Sequence, residues 1–337
     1  MKTTIAFGVC LLLFCSNGCQ PTTTPSAKSQ PSNARQATEE TATPVVESSR
    51  NIATDVEQPS EPIESIAPSM PPIETETKAP DSSEVESTVA SKSSGFAKSI
   101  QILSWNVESD GSNPEVIAKQ LKEWNNIDVF ALCEVLPSQF ENFANGMAEI
   151  HSESGDKDRL MIAYNDDRFE LVRQLNLDDI NNGRVRAPLV AHLRERESGK
   201  EFLLVNNHLA RGNAEYRQEQ ARLLVEWARE STLPIVAVGD YNFDFVFETS
   251  NGNDSFREFM RDGIWEWIQP SEMIDSNWYD GDGDGADDYP GSILDFVFVA
   301  GSAREWPIAC EVIVRADDFP DDDQTSDHRP ILTVIGK

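Results

Sequence analysis

Aromatic residues are absent from a long N-terminal stretch of the chain. Between Cys19 and Gly95 there is no Phe, Trp or Tyr, whereas all seven Trp lie between Trp105 and Trp306. The stretch is rich in Pro, Ser, Thr and Glu, so it cannot bury enough apolar surface to offset the entropy lost on ordering. We therefore predict a disordered linker over residues 20–97 and one folded domain over residues 98–337.

Long hydrophobic runs are equally scarce. The longest is Ile5–Phe14, which is much shorter than the roughly twenty residues that a helix needs to span a bilayer. It follows a single basic residue and precedes small and polar residues, an arrangement typical of a signal peptide. We predict a signal peptide over residues 1–19 and an exported protein. Ser16–Cys19 also resembles the end of a bacterial lipoprotein signal, so secretion and membrane attachment through an acylated Cys19 both stay open.

Cysteine is nearly missing from the predicted domain, where only Cys133 and Cys310 occur. This excludes a structural zinc site built on cysteine pairs. Each of the two lies in an apolar run, which is typical of a buried free thiol, and a disulfide formed after export is the alternative.

Positive charge is also in short supply. From Lys98 onward, 46 acidic and 22 basic side chains leave a net charge of −24. Proteins that hold a polynucleotide by its phosphates use Lys and Arg, so this surface disfavours a tight, non-specific duplex binder. Carboxylates that recruit a metal cation are compatible with the charge, because the cation then meets the phosphate.

Strand-like and helix-like patterns alternate along the predicted domain and favour a layered α/β sandwich. The predicted strands are Ile100–Val107, Val129–Cys133, Leu160–Tyr164, Leu189–Leu193, Phe202–Asn206, Ile235–Val238, Leu294–Val299, Glu311–Val314 and Ile331–Ile335. The predicted helices are Pro114–Trp124, Pro137–Met147, Asn213–Arg229 and Ser255–Arg261. Polar residues follow several of these strands directly, at the positions where a rigid strand presents a side chain to a loop rim.

Six short motifs contain these polar residues. They are Ser104-Trp105-Asn106, Val129 to Glu134, Asn207-His208-Leu209, Gly239-Asp240-Tyr241-Asn242, Leu294-Asp295-Phe296 and Ser326-Asp327-His328-Arg329-Pro330. Each alone is more often a turn or a cap, but the ordered set resembles the endonuclease/exonuclease/phosphatase family. The resemblance implies hydrolysis of phosphate esters by a four-layer αββα sandwich, with two mostly antiparallel sheets flanked by helices.

The resemblance also implies a metal site at the sheet rim. In it, Glu134 is the principal ligand of Mg²⁺ or Mn²⁺, and Asn106 and Asp327 lie close to the ion. The chemistry agrees, because a negatively charged phosphodiester needs a hard cation on oxygen ligands to admit a nucleophile.

Five further residues have implied catalytic roles. Asp240 orients or deprotonates the attacking water, and Asn242 holds a phosphate oxygen. His208 and His328 hydrogen-bond the phosphate, and Asp295 orients His328. An Asp behind a His favours the charged imidazole that a phosphate requires.

Arginines near the expected rim are weaker candidates. Arg184, Arg186 and Arg217 are hypothesised to bind phosphate, and ordinary surface charge is the alternative. Arg217 and Gln220 share one face of the predicted helix. In one branch of the family that the chain resembles, a Glu within an Arg-Glu-Pro segment supports the first catalytic His. This chain reads Arg186-Ala187-Pro188, so we expect His208 to lack that partner.

An acidic loop precedes the Asp295 motif. Asp280, Asp282, Asp284 and Asp288, with Gly285 at the sixth position, match the start of an EF-hand-type calcium loop. The twelfth position is Gly291 instead of a bidentate Glu. Binding of Ca²⁺ and a solvated acidic loop both stay open.

The sequence thus favours a monomeric, divalent-metal-dependent phosphoesterase, nuclease-like in its motifs. The alternative within the family is a lipid or small-molecule phosphodiesterase or phosphatase, which the acidic surface favours. A non-catalytic surface module that binds calcium is the alternative from another class.

Overall fold

The computed structural model describes residues 93–181, 186–316 and 324–336. The predicted signal peptide, the acylation of Cys19 and nearly all of the predicted linker lie outside these residues, and so does Arg184. Within the described ranges, no helix is long and apolar enough to cross a membrane.

Twelve strands form two six-stranded sheets among the described residues. The strands are β1 (Ile100–Asn106), β2 (Val129–Val135), β3 (Ala148–His151), β4 (Arg159–Tyr164), β5 (Phe169–Asn176), β6 (Leu189–Glu195), β7 (Glu201–His208), β8 (Ile235–Val246), β9 (Trp265–Trp267), β10 (Ser292–Ala300), β11 (Ile308–Val312) and β12 (Ile331–Ile335). The first sheet has the order β11-β12-β1-β2-β4-β3 and the second β5-β6-β7-β8-β10-β9.

Five helices accompany the sheets. They are α1 (Pro114–Glu123), α2 (Phe140–Phe143), α3 (Asp178–Asn181), α4 (Ala214–Glu230) and α5 (Asp254–Met260). Asparagine side chains cap the longer ones: Asn113 accepts the amide of Glu115 at α1, and Asn213 accepts that of Tyr216 at α4. Such caps satisfy amides that the first helical turn leaves without partners.

Three apolar clusters separate four layers. The central cluster contains Ile162 of the first sheet and Val297 of the second, so the sheets pack face to face. A second cluster joins Leu224 of α4 to the outer face of the second sheet, and a third joins Leu121 of α1 to the outer face of the first. The predicted four-layer sandwich is confirmed, and its sheets are mostly antiparallel.

Strand direction brings polar strand ends to one rim. Each sheet has one parallel pair among its described strands, β1 with β2 and β7 with β8. Because parallel strands end at the same edge, Asn106 and Glu134 lie together in the first sheet. His208 and Asp240 are paired in register in the second.

Some predicted elements were wrong. The helix predicted over Pro137–Met147 is a 3-10 turn over Pro137–Gln139 followed by the four-residue α2. It ends there because Asn145 and Gly146 have φ of 53° and 80°, which no right-handed helix contains. The edge strands β3, β5 and β9 were missed, since β5 is polar and half-exposed and β9 has three residues. Cys133 and Cys310 are free and buried, so the alternative disulfide is absent.

Asn206 is a polar link between the sheets. It lies on β7, is fully buried, and its amide donates to the Leu132 carbonyl at 2.8 Å and the Met161 carbonyl at 3.1 Å. The register of β2 against β4 shifts just after Leu132. The link therefore satisfies backbone groups of the first sheet beside Glu134.

Replacing Asn206→Leu tests this link. Leu has the same branching and the same number of non-hydrogen side-chain atoms as Asn, but it removes the hydrogen bonds to two buried carbonyls, at a cost of about 1–3 kcal/mol each. We expect the free energy of unfolding in urea to fall by about 2–4 kcal/mol. Asn142→Ala, at an exposed position, should change it by less than about 0.5 kcal/mol. Equal losses in the two variants would contradict the assigned role.

Candidate active site

Glu134 reaches the rim through an irregularity in β2. The β2–β4 register shifts between Leu132 and Val135, and Glu134 has a φ of 55°. A left-handed, non-glycine residue is uncommon and is retained where the surroundings require it. This turn leaves the Glu134 side chain 31% exposed at the end of a buried strand.

Asn106 joins the two sheets at the rim. Its amide nitrogen lies 3.0 Å from Glu134 Oε1 and 3.2 Å from Asp240 Oδ2. Its amide oxygen accepts the backbone N–H of Glu108 at 3.1 Å. Asn106 thus links two carboxylates at the rim, and its place beside a metal stays a prediction.

Asp240 is the centre of the arrangement. It is 2% exposed, and its Oδ1 accepts the backbone N–H of Asn242 at 2.9 Å. Its Oδ2 lies 3.3 Å from His208 Nε2 and 3.8 Å from His328 Nε2. Both imidazoles therefore face one carboxylate oxygen, from opposite sheets.

His328 is held by a chain of hydrogen bonds. Its Nδ1 lies 2.7 Å from Asp295 Oδ2, and that same oxygen accepts the Ser276 hydroxyl at 2.8 Å. Burial opposes a charge on His328, but Asp295, Asp327 and Asp240 outweigh it and raise the pKa of the imidazole well above its usual value. These carboxylates thus favour the protonated imidazole.

His208 has an acidic neighbour that the sequence did not reveal. Asp158, just before β4, places its Oδ1 3.6 Å from His208 Nδ1, so a carboxylate from another segment stands near this imidazole while Ala187 occupies the position between Arg186 and Pro188. Arg186 pairs with Asp158, and its Nε donates to the His208 carbonyl at 3.1 Å. Burial and the Arg186 charge lower the pKa of His208 to about 4, against the opposite effect of Asp240 and Glu134. The pKa values of the two imidazoles are thus shifted in opposite directions.

Three side chains that could bind a cation lie together at the rim, and His208 is one of them. Ligand atoms of Glu134, Asp158 and His208 all lie within 4.8 Å of one another. Asp327, predicted as a ligand, is outside this group, with its Oδ1 3.8 Å from His328 Nε2. Carboxylate oxygens beside a neutral imidazole suit a divalent cation, which would also relieve their mutual repulsion.

Residues 103–328 match the profile of the Endonuclease/Exonuclease/phosphatase family. The chain belongs to this family. Its members hydrolyse phosphoester bonds, and this chain is therefore an enzyme of that type. No curated protein matches the chain significantly.

Solved structures of the family share the fold at low sequence identity. An endonuclease/exonuclease/phosphatase family protein from Bacteroides thetaiotaomicron has 20% identity and a TM-score of 0.54, covering 71% of this chain and 96% of its own. A mannosyl-6-phosphatase from the same organism has 20% identity and a TM-score of 0.54, covering 71% and 100%. TDP2 from D. rerio, complexed with single strand DNA product, has 19% identity and a TM-score of 0.55, covering 71% and 99%.

In this family member, α4 fixes the segment after His208. Arg217 Nη1 donates to the Ala210 and Arg211 carbonyls, each at 2.8 Å, and Gln220 Oε1 accepts the Ala210 N–H at 2.9 Å. The amide of Asn242 donates to the Leu209 carbonyl at 3.1 Å. Arg217 is thus engaged with backbone, which is a different use from the predicted phosphate contact.

The acidic loop curls around Asp280. The N–H groups of Gly283 and Gly285 donate to Asp280 at 2.7 and 2.8 Å. Carboxylates of Asp280, Asp282 and Asp288 come within 4.8 Å of one another, whereas Asp284 is not in this group. Calcium binding by the loop stays a prediction.

Asp295→Asn removes the carboxylate charge that most strongly raises the pKa of His328. We expect the pKa to fall, because burial then dominates, so that the imidazole is neutral at pH 7. A pH titration of the histidine ring signals by NMR, without metal, measures this. Ser276→Ala is the control, since it removes a contact to Asp295 and keeps the charge. An unchanged His328 titration in Asp295→Asn would refute the assignment.

Proposed function

We propose that this chain is a divalent-cation-dependent, nuclease-like phosphodiesterase. One observation carries the proposal: the imidazoles of His328 and His208 face the same Asp240 oxygen, at 3.8 and 3.3 Å, beside a carboxylate group that could hold a cation. Hydrolysis needs a water activated near phosphorus and positive charge on the phosphoryl oxygens. This rim can supply both.

Glu134 is proposed as the main cation ligand, with Asp158 as the further carboxylate of the same group. Asp327, which lies outside that group, is proposed as an additional ligand. Mg²⁺ or Mn²⁺ would withdraw charge from the phosphate and offset the negative charge of the site. Asn106 holds the Glu134 carboxylate through its amide. We therefore propose a positioning role for Asn106.

Asp240 is proposed to orient the attacking water and accept its proton. As the new P–O bond forms, the bond to the leaving oxygen breaks, and that oxygen departs with the bonding electron pair and takes a proton from solvent water. His328, already protonated, donates its Nε2–H to a phosphoryl oxygen, and Asp295 keeps the opposite ring nitrogen engaged. His208 contributes a neutral imidazole whose position is fixed by Asp158 and Arg186.

The acidic surface restricts the proposed substrate. A domain charge of −24 repels a long polyanion, so we propose a short, terminal or single-stranded phosphodiester and not a duplex. The structural neighbours include a mannosyl-6-phosphatase and a TDP2 complexed with single strand DNA product. Hydrolysis of a small phosphomonoester is the second candidate. We also propose export, on the predicted signal peptide.

Glu134→Gln tests the cation requirement. The substitution keeps the Asn106 contact region but removes one charge, so we expect weaker Mn²⁺ binding by calorimetry. Turnover of bis-p-nitrophenyl phosphate should fall at least about 100-fold, because a bound cation supplies several kcal/mol of transition-state stabilisation. EDTA should abolish wild-type turnover, and added Mg²⁺ or Mn²⁺ should restore it.

Glu123→Gln, at an exposed position on α1, is the matched control and should behave as wild type. Full activity of wild type in EDTA, or of Glu134→Gln, would reject the proposal.

A further inference from the structure

A second pocket adjoins the proposed catalytic pocket. It has a volume of about 310 Å³, and its lining includes Arg211, Asp244, Asn277, Tyr289, Ser292 and Leu294. Arg211 also lines the pocket that contains Glu134, Asp158 and His208. The two pockets thus share one lining residue, Arg211, whose side chain is positively charged.

The side of the second pocket that contains Asn277 is in contact with the catalytic rim. Asn277 forms a bridge pair with His328, and the Trp278 N–H donates to the Asp327 carbonyl at 2.8 Å. Ser276, just before them, contacts Asp295. A ligand group in the second pocket would therefore lie next to a phosphate held at the rim.

Two exposed tyrosines flank the acidic loop, Tyr279 directly before it and Tyr289 directly after it. Tyr279 and Tyr289 are 39% and 54% exposed, and their ring centroids lie 5.5 Å apart. The Tyr279 ring packs over the backbone of Gly281, where an added Cβ would come within 2.7 Å of the ring. The Arg211 guanidinium lies 5.8 Å from the Tyr279 centroid. Tyr279 is thus in contact on two sides, and Tyr289 is among the residues that line the pocket.

We propose that this second pocket is a nucleobase subsite, in which Tyr289 stacks on the base and Arg211 holds the phosphate between the two pockets. The inference rests on the proposed phosphodiesterase function and specifies its substrate class. Two planar groups, a phenol and a guanidinium, border one small pocket. Bases stack on both kinds of group, whereas a puckered sugar ring has no π face to match them.

The acidic loop limits the ligand to a single nucleotide unit. Asp287 and Asp288 directly precede Tyr289, and Asp280, Asp282 and Asp284 lie beyond Tyr279. A second phosphate past the base would meet this negative charge and be repelled. The subsite therefore accepts the terminal residue of a strand or a mononucleotide ester, which implies cleavage at an end and not within a polymer.

Calorimetry on the Asp240→Asn protein with Mg²⁺ tests the base preference without turnover. We expect adenosine 5′-monophosphate to bind about tenfold more tightly than ribose 5-phosphate, as base stacking on an aromatic ring provides. Tyr289→Leu in that background should reduce the difference to within about twofold, and Tyr289→Phe should keep it. The exposure of Tyr289 makes a folding defect in either variant easy to exclude by circular dichroism.

Equal binding of the two ligands, a preference that persists in Tyr289→Leu, or mannose 6-phosphate binding as tightly as the nucleotide would each overturn the subsite. Phosphate released in the same samples would instead contradict the proposed role of Asp240. The two failures are therefore distinguishable.

Adenosine 3′,5′-bisphosphate tests the limit to one unit. At low salt we expect it to bind several-fold more weakly than the monophosphate, and this difference should shrink in Asp282→Asn/Asp284→Asn. Both Asn side chains can still accept the loop amides that the aspartates accept. Tighter binding of the bisphosphate to the parent protein would overturn the limit.

Discussion

Negative charge gathered at one rim is the constraint on which the rest of the structure depends. Glu134, Asp240 and Asp295 end up beside one another because the central strands of two packed sheets end at the same edge. Like charges in a poorly solvated site repel strongly. Each carboxylate therefore has a donor: Asn106 serves Glu134 and Asp240, and His328 serves Asp295. These contacts hold the carboxylates together at the rim. A bound cation would neutralise the negative charge that remains.

The same constraint explains the division between the histidines. His328 has a carboxylate at 2.7 Å, which raises the pKa of its imidazole despite its burial. His208 has its nearest carboxylates at 3.3 Å or more and an arginine beside it, so burial keeps it neutral. His328, whose pKa is raised, and His208, whose pKa is lowered, face the same Asp240 oxygen, so the site is asymmetric. Such asymmetry suits a reaction in which the attacking oxygen and the leaving oxygen need different protonation.

Much of the fold was predictable because its central strands are continuous apolar runs. Asn106, Glu134 and His208 could be identified as strand-end residues for the same reason, whereas Asp240 lies inside β8, which continues to Val246. Asp158 could not be identified, since it lies in a polar stretch whose only signal is the start of β4 at Arg159. Ser276 had no signal either. The half-exposed edge strand β5 lacks the alternation that marks a strand, and left-handed residues ended the predicted second helix after α2.

The sequence by itself determined the residue types that follow the apolar strands, a layered α/β sandwich and the excess of acid. These depend on local patterns of apolar and polar residues, which the chain carries in order. Only the tertiary structure decided which side chains meet: Asp158 with His208, Arg217 with a backbone segment, and Tyr289 with a pocket that shares Arg211 with the rim. Such pairings join residues far apart in the chain, and they follow from the register and packing of two sheets.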